Sequence, residues 1–255
     1  MKHPLRTLLL AVCCGLAAAC TQRQERLKLM SYNIRNGIGI DNIQDIGRIA
    51  RVILREAPDL VALQELDSAT LRVDGRYIPG ELGRMTGMHA TFGRAIGFAG
   101  GSYGIGLLSR TEPLAVRSIP LPGREEARVL LMAEFPDYTV CITHLSLTPE
   151  DRLASLPIIR EATDTCRKPV LLAGDFNTGN AAAVLAGLGG GFRILSDTTR
   201  MTFPSDNPAV RIDYILGRGL PTSATESAVD HTATASDHCP LWVTLVWKRG
   251  KQPGK

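Results

Sequence analysis

Short apolar runs recur along the whole chain, and this pattern limits its fold more than any other feature. Such runs, bounded by turn residues, are typical of buried strands. Strands are predicted at 27–34, 59–63, 103–109, 114–119, 128–135, 138–145, 170–173, 212–216 and 240–246. Helices are predicted at 42–54, 79–88, 149–165 and 181–188. Because strands and helices are mixed throughout with no linker, we predict one α+β domain, a sandwich of buried sheets with helices outside.

Composition agrees with a single globular domain. The chain has 255 residues, of which 44% are hydrophobic and 21% charged, enough to bury a sizeable core. An ordinary apolar fraction and a small net charge exclude a disordered chain. No glycine or heptad repeat recurs, which excludes a fibre, and the single long apolar run excludes a multi-pass membrane protein.

That long apolar run lies at the N-terminus and has the anatomy of a signal peptide. Lys2 and Arg6 precede an apolar stretch over 8–19, which is too short for a comfortable membrane span. Small residues then lead to Cys20, a pattern that resembles a bacterial lipobox. We predict cleavage before Cys20 and lipidation of its thiol, with plain secretion and an uncleaved anchor as alternatives.

The remaining boundaries follow from this prediction. Residues 1–19 are the signal peptide, 20–27 a polar tether, 28–247 the folded domain and 248–255 a polar tail. Removal of residues 1–19 leaves 27 basic and 25 acidic side chains, a net charge of +2. This charge is weak for a protein that clamps nucleic acid. Nucleic acid remains a possible partner, but a small phosphorylated substrate is favoured.

Polar residues stand at the ends of the apolar runs, where loops carried by a rigid sheet often form functional sites. Any one of them could be a turn or capping residue, but that explanation is weaker for a whole set of polar residues that share this position. Its members are Asn33, Glu65, His144, Asp175, Asn177, Asp213, Asp237 and His238.

These residues lie in motifs that resemble one known family. The segments SYNIR, LVALQE, GIGLLSR, THL, GDFN, RIDYI and SDHCP together resemble the endonuclease/exonuclease/phosphatase family, with a likeness that runs from about Leu29 to Val246. The resemblance implies a four-layer α/β-sandwich, in which two packed, mainly antiparallel sheets are flanked by helices. It also implies Mg²⁺-dependent hydrolysis of phosphate esters, with Mn²⁺ or Ca²⁺ as alternative cations.

The resemblance assigns the metal to three residues. Glu65 matches the metal-binding glutamate of the family, and Asn33 would lie beside it on the same ion. Asp237 would be a second metal contact, as in some relatives. Hard oxygen ligands of this kind suit Mg²⁺, which keeps several waters and needs few carboxylates.

The resemblance also assigns the attacking water and the phosphate. Asp175 would orient or deprotonate the water, while Asn177 and His144 would contact phosphate oxygens. Asp213 and His238 would form an acid–imidazole pair. Whether Asp175 or His238 is the general base stays open.

Two arginines are predicted to support the site. Arg110 follows a strand and could pair with a carboxylate, whereas Arg128 matches a family position with a supporting role. Charge pairs of this kind are frequent at strand ends.

The substrate stays open at this stage. The preferred interpretation is a lipid-anchored phosphodiesterase or phosphatase of the bacterial cell envelope, in the periplasm or outer membrane. A nuclease, a sphingomyelinase-like lipid phosphodiesterase and an inactive binding lipoprotein are the alternatives. The segment GDFNTG has Gly179 where inositol phosphatases of the family carry arginine, which disfavours inositides. Oligomeric state is not predicted.

Overall fold

A computed structural model describes residues 24–220 and 224–248. Within these ranges the chain forms twelve strands and four α-helices. The strands are β1 (Gln24–Asn33), β2 (Leu60–Ser68), β3 (His89–Phe98), β4 (Gly101–Ser109), β5 (Ala115–Leu121), β6 (Arg128–Glu134), β7 (Thr139–His144), β8 (Val170–Asp175), β9 (Arg193–Ile194), β10 (Asp213–Arg218), β11 (Ala224–Val229) and β12 (Leu241–Lys248). The helices are α1 (Ile46–Glu56), α2 (Ile78–Thr86), α3 (Pro149–Asp164) and α4 (Ala181–Leu188).

The strands form two six-stranded sheets with the same internal plan. The first sheet has the order β11-β12-β1-β2-β4-β3, and the second has the order β5-β6-β7-β8-β10-β9. Each sheet has one parallel pair at its centre, β1 with β2 and β7 with β8, and all its other pairs are antiparallel. A parallel pair needs a long crossover connection, and α1 and α3 supply these crossovers. The predicted, mainly antiparallel sheets are confirmed.

Three apolar clusters hold the layers together. The inner cluster, with Leu29 and Leu171 among its members, lies between the two sheets. A second cluster packs α1 and α2 on the outer face of the first sheet, and a third packs α3 and α4 on the second sheet. The resulting order of helices, sheet, sheet and helices confirms the four-layer sandwich.

The space between the sheets changes from apolar to polar along the strands. Side chains two residues apart share one face of a strand, so Leu29 and Asn33 of β1 both face the second sheet, as do Leu171 and Asp175 of β8. Asn33 and Asp175 touch across the gap. We name this end of the sandwich the cleft end, and we name the opposite end, where Gln24 pairs with Lys248, the terminal end.

Helix α1 begins later than the sequence predicts. Its buried face is formed by Ile46, Ile49, Ala50, Val52 and Ile53. The carboxylate of Asp45 accepts a hydrogen bond from the backbone N–H of Arg48 and caps the helix. Two apolar residues of the predicted range 42–54 lie outside this buried face, since the side chains of Ile43 and Leu54 are 60% and 54% exposed.

Strands β3, β9 and β11 were not predicted from the sequence. All three are edge strands, in which only part of each residue is covered and the apolar signal is weak. Strand β3 also contains Gly93 and Gly97, which favour a turn or loop prediction.

Two predicted boundaries need correction. Strand β1 begins at Gln24, so residues 24–27 belong to the sheet and not to the tether. Lys248 ends β12 and does not begin the tail. The signal peptide and Cys20 lie outside the described residues. Among the residues that the structure describes, no helix is long and apolar enough to cross a membrane.

Candidate active site

Three polar side chains form a row across the second sheet at its cleft end. The strand register pairs His144 with Asp175 across β7 and β8, and Asp175 with Asp213 across β8 and β10. Residues directly opposite each other on neighbouring strands present their side chains to the same face. All three side chains are buried. These three residues, which the sequence analysis placed in one site, therefore lie side by side at the cleft end.

A glycine is needed beside this row. A Cβ atom added to Gly174 would lie 2.0 Å from the carbonyl oxygen of Thr143 on the neighbouring strand. Strands β7 and β8 can keep their parallel register only because position 174 has no side chain. The glycine of the GDFN motif is therefore required on steric grounds.

Glu65 reaches the cleft because β2 has a bulge. Leu63 and Leu66 both pack in the outer cluster although they are three residues apart, and the pairing with β4 shifts register between them. The extra residue is accommodated with Glu65 at a φ of 59°, a conformation uncommon for a residue with a side chain. Bulges often redirect a side chain beside an active site.

Asn33 joins the two sheets. Its Nδ2 donates to Glu65 Oε1 at 2.9 Å and to Asp175 Oδ2 at 3.1 Å. The backbone N–H of Arg35 donates to Asn33 Oδ1 at 3.1 Å, which fixes the orientation of the amide. The predicted role of Asn33 as a metal ligand through its oxygen does not match this contact, because the amide nitrogen faces the carboxylates.

His238 lies between two carboxylates. Its Nδ1 is 2.9 Å from Asp213 Oδ2, and its Nε2 is 3.7 Å from Asp175 Oδ2. The ring packs on Phe203 with 4.8 Å between ring centroids. Ser236 connects this loop to β1, since its Oγ donates to the carbonyl of Asn33 at 2.7 Å.

The buried charges shift one another's pKa values. Burial and the neighbouring Asp213 raise the pKa of Asp175 to about 7. Burial lowers the pKa of His238, but attraction to Asp213 and Asp175 outweighs it and raises that pKa to about 10. Burial, with Arg128 and His238 nearby, holds the pKa of His144 well below its usual value. At neutral pH, therefore, His238 is an imidazolium and His144 is neutral.

Asn177 and Asp237 complete the predicted set at the cleft. The backbone N–H of Asn177 donates to Asp175 Oδ1, and its Nδ2 donates to the carbonyl of Leu145, both at 2.8 Å. Its amide keeps one further N–H for a ligand. Asp237 is half-buried at the rim, where its Oδ2 lies 3.5 Å from Nε of Arg35.

Arg128 supports one wall of the cleft. Its side chain is 6% exposed, and Nη1 donates to Glu126 at 2.8 Å while Nη2 donates to Glu125 at 3.4 Å. Glu125 in turn accepts hydrogen bonds from Ser146 Oγ and from the backbone N–H of Leu147. Arg128 thus contacts both glutamates of the wall and, through Glu125, the loop that follows His144.

Arg110 is not part of the site. It follows Ser109, which pairs with Leu60 at the start of β2, whereas Glu65 lies near the other end of that strand. Its Nε is 3.5 Å from Asp59 Oδ1 at the terminal end. The expected pairing with a carboxylate is present, but the expected support of the site is wrong, because β4 runs antiparallel to β2.

The cleft has a volume of about 380 Å³. Besides the predicted residues, its lining includes Tyr103, Glu126, Leu147, Phe203 and Ile212. Ile212 lies in the RIDYI motif, but no motif contains the other four. Glu126 precedes Arg128 by two residues, so the acidic REEAR segment is the one signal that could have indicated it.

The chemistry of the lining fits a hard divalent cation. Glu65 is half-buried, and among the described residues its Oε2 has no hydrogen-bond partner. Asp237 adds a second carboxylate to the same lining. Asp175, Asp213 and His238 have ligand atoms within 4.8 Å of one another, but their contacts are those of a hydrogen-bonded chain around an imidazolium. Carboxylates and water suit Mg²⁺ better than imidazole does.

Comparison with known proteins gives two findings. The sequence model of the endonuclease/exonuclease/phosphatase family matches residues 30–238. Among solved structures, an endonuclease/exonuclease/phosphatase from Beutenbergia cavernae is 23% identical with a TM-score of 0.70, over 88% of this chain and 72% of that one.

Two further structures share this fold. A mannosyl-6-phosphatase from Bacteroides thetaiotaomicron is 18% identical with a TM-score of 0.69, over 87% of this chain and 99% of that one. TDP2 of D. rerio, complexed with a single-strand DNA product, is 22% identical with a TM-score of 0.65, over 86% and 98%. These likenesses concern the fold, whereas the family match spans most of the sequence and both sides of the cleft. The chain belongs to the endonuclease/exonuclease/phosphatase family.

Proposed function

We propose that this protein is a Mg²⁺-dependent hydrolase of phosphate esters that uses direct attack of water. Membership of the family supports phosphate-ester hydrolysis in general. The observation that carries the proposal is the contact of side chains from both sheets in one cleft. Asn33 joins Glu65 to Asp175, and the imidazole of His238 lies between Asp175 and Asp213.

Asp175 is the general base in this proposal. Its Oδ1 is held by the backbone N–H of Asn177, and its Oδ2 faces Asn33. A base works best when its pKa is close to the working pH, and the pKa of Asp175 is raised to about 7. His238, with a pKa of about 10, is already protonated and cannot take the proton of the water.

His238 instead stabilises negative charge. Asp213 accepts from Nδ1 and fixes the ring, so that Nε2 presents its N–H on the Asp175 side. Phosphoryl transfer places charge on the oxygens around phosphorus, and fixed donors in a site sheltered from water stabilise that charge. His144 and the remaining N–H of Asn177 are further donors at the same cleft.

Glu65, with Asp237 beside it in the lining, would hold the cation. A bound Mg²⁺ neutralises phosphate charge and stabilises the developing charge on oxygen. Glu65 is suited to this role because it lines the cleft and Asn33 fixes one of its oxygens, while the other has no hydrogen-bond partner among the described residues.

The substrate class is a small phosphate ester, either a monoester or a diester. The net charge of +2 left after removal of residues 1–19 supplies little of the attraction that nucleic-acid binding needs. One neighbour in fold is named a phosphatase and another was solved with a DNA product, so both chemistries belong in the test. Lipidation of Cys20 would place the enzyme in the cell envelope.

Hydrolysis of bis-(p-nitrophenyl) phosphate with Mg²⁺, and again with a chelator, tests the proposal. We expect nitrophenol release that stops with the chelator and returns when Mg²⁺ is restored. Glu65→Gln should lose the release, while Arg110→Ala, at the other end of the sandwich, should keep it. A wild-type protein inactive with Mg²⁺ on this ester, DNA, sphingomyelin and inositol phosphates would contradict the proposal and favour a binding lipoprotein.

A further inference from the structure

The first sheet continues beyond Glu65 with a buried acidic residue. Asp67 follows Glu65 by two residues, a step of at most about 7 Å along the chain, and its side chain is fully buried. It pairs in register with Tyr103 of β4, which lines the cleft. Residues directly opposite each other on neighbouring strands share a face of the sheet, so Asp67 lies beside Tyr103 at the edge of the cleft.

Arg72 binds this buried carboxylate. Its Nε donates to Asp67 Oδ2 at 2.5 Å, and its Nη2 donates to Asp67 Oδ1 at 3.1 Å. The guanidinium also lies over two aromatic rings, with its central carbon 4.6 Å from the ring centre of Phe98 and 5.2 Å from that of Tyr103. A two-point ion pair and two ring contacts hold the guanidinium in one orientation. Little freedom is then left to lose when a ligand binds to it.

The guanidinium of Arg72 still has N–H groups for a second anion. The pair with Asp67 uses Nε and Nη2, and among the described residues Nη1 has no hydrogen-bond partner. The side chain is 41% exposed, so a ligand can reach it. Asp67 neutralises part of the positive charge, and a bound anion would therefore be held mainly by charge-assisted hydrogen bonds to Nη1.

The charge of Arg72 acts on the cleft. Burial raises the pKa of the cleft-lining residue Glu126, and the charges of Arg128 and Arg72 lower it. Arg128 is almost fully buried, and both of its Nη nitrogens donate to Glu126 and Glu125. Of these two arginines, Arg72 is the one with an exposed side chain and an unpaired Nη nitrogen. It is therefore the better partner for an anionic ligand.

A ligand that reaches Arg72 from the reaction centre passes Tyr103. In the proposed reaction the phosphate lies near Asp175, His238 and the cation held by Glu65. A substrate that extends from there past Glu65 meets the ring of Tyr103 and then the guanidinium of Arg72. A short carbon chain suits the ring, and an anionic group at the end of that chain suits the guanidinium.

We propose that Asp67, Arg72, Phe98 and Tyr103 form a subsite that binds a second anionic group of the substrate. The preferred substrate is then a phosphate ester whose alcohol carries a carboxylate or a further phosphate a few carbon atoms from the reacting phosphate. Arg72 donates to that group, while Asp67 and the two rings fix the position of Arg72. This inference rests on the proposed hydrolase function and names the class of its substrate.

Calorimetric titration with Mg²⁺ in large excess tests the subsite. An Asp175→Asn background prevents turnover during the measurement. Three ligands with the same carbon chain are compared, namely butyl phosphate, 4-(phosphonooxy)butanoate and butane-1,4-diyl bisphosphate. At least one of the two ligands with a second anion should bind about tenfold more tightly than butyl phosphate, because hydrogen bonds to charged groups are worth about that factor. Equal affinity of all three would overturn the proposal, and the two arms show whether carboxylate or phosphate is preferred.

Substitution of Arg72 tests whether this side chain causes the gain. Arg72→Gln should reduce the affinity of all three ligands to that of butyl phosphate. Because this change leaves Asp67 buried without its cation, Asp67→Asn combined with Arg72→Gln removes both charges and should give the same result. Arg76→Gln is the matched control, since it removes an equal charge from the same segment, where Arg76 pairs with Glu81 at 3.2 Å. It should keep the full gain.

A gain that survives in both Arg72 variants, or that is lost equally in Arg76→Gln, would show that general attraction and not this subsite binds the second anion. The hydrolase function is tested apart from this, by nitrophenol release from bis-(p-nitrophenyl) phosphate in the protein without substitutions. Release without any gain in affinity would contradict the subsite alone. A gain in affinity without hydrolysis of any ester would contradict the hydrolase function, and with it the assignment of the bound anion to a substrate.

Discussion

Charged side chains are buried at the cleft end of the sandwich and exposed at the terminal end. Each has a gap between the sheets, about 380 Å³ at the cleft end and about 260 Å³ at the terminal end. At the cleft end, Asp175, Asp213 and His238 are buried within 4.8 Å of one another. At the terminal end, Arg26 and Arg110 form exposed ion pairs.

This difference separates function from stability. Burying a charge costs several kcal/mol before its partners compensate, so a buried acid–imidazole–acid chain is weak evidence for stability and better evidence for a site. Exposed ion pairs contribute little in either direction. Substitutions at the cleft end should therefore change activity strongly, and those at the terminal end should not.

The largest effect is expected for Asp175→Asn. The amide has the same shape but cannot take a proton from water, so kcat should fall about 10³-fold, within the range of general-base contributions. Steady-state assays with Mg²⁺ measure the change in kcat, and circular dichroism checks the fold. A variant that keeps a tenth or more of the wild-type rate, as an order-of-magnitude bound, would remove Asp175 from the role of base.

A somewhat smaller loss is expected for Glu65→Gln. The amide keeps a hydrogen-bond acceptor for Asn33 but removes the negative charge that would hold the cation. Activity at low Mg²⁺ should fall about 10²-fold, because metal stabilisation of the transition state amounts to several kcal/mol. Raising the Mg²⁺ concentration should restore part of the loss. If Mg²⁺ dependence were the same in the variant and the wild type, Glu65 would not be a ligand.

The placement of the candidate site residues could be predicted because apolar runs in the sequence mark where strands begin and end. His144 and Asp175 follow apolar runs and Asp213 precedes one, and strand register then places the three side by side. The helices and the buried strands were predicted for a similar reason, since each carries an apolar face that the core must cover.

Other features depend on contacts that a sequence does not show. The bulge at Glu65 arises from pairing with β4, and the orientation of Asn33 arises from Arg35 and two carboxylates. Arg110 shows the same limit most clearly. It stands at a strand end like the site residues do, but a sequence does not say at which edge of the sheet that end lies.

Asp213→Asn should shift the pH profile of activity. In the wild type, activity should rise as Asp175 loses its proton near pH 7 and fall as His238 loses its proton near pH 10. The charge of Asp213 raises the pKa of Asp175 and that of His238. Burial acts in addition, since it raises the pKa of Asp175 and lowers the pKa of His238. Loss of this charge should therefore move both limbs to lower pH.

A profile of kcat between pH 5 and 11, the interval that brackets both pKa values, measures these shifts. Asp197→Asn is the matched control, because that carboxylate is hydrogen-bonded to Thr199 and not to the site. Its profile should follow the wild type. Movement of only the alkaline limb in Asp213→Asn would mean that Asp213 acts on His238 alone and that another group sets the acid limb.

The smallest effect is expected at the terminal end, for Arg110→Ala. The guanidinium is half exposed and contacts Asp59 at 3.5 Å, so its loss removes an ion pair that water and salt already screen. Asp59 stays satisfied, because Oδ2 accepts the backbone N–H of Lys28 at 2.8 Å. The values of kcat and KM should match the wild type, and the urea midpoint should hardly move. A large loss of activity without a loss of stability would show that the two ends are coupled through the sheets, and the division of charge between them would then no longer separate function from structure.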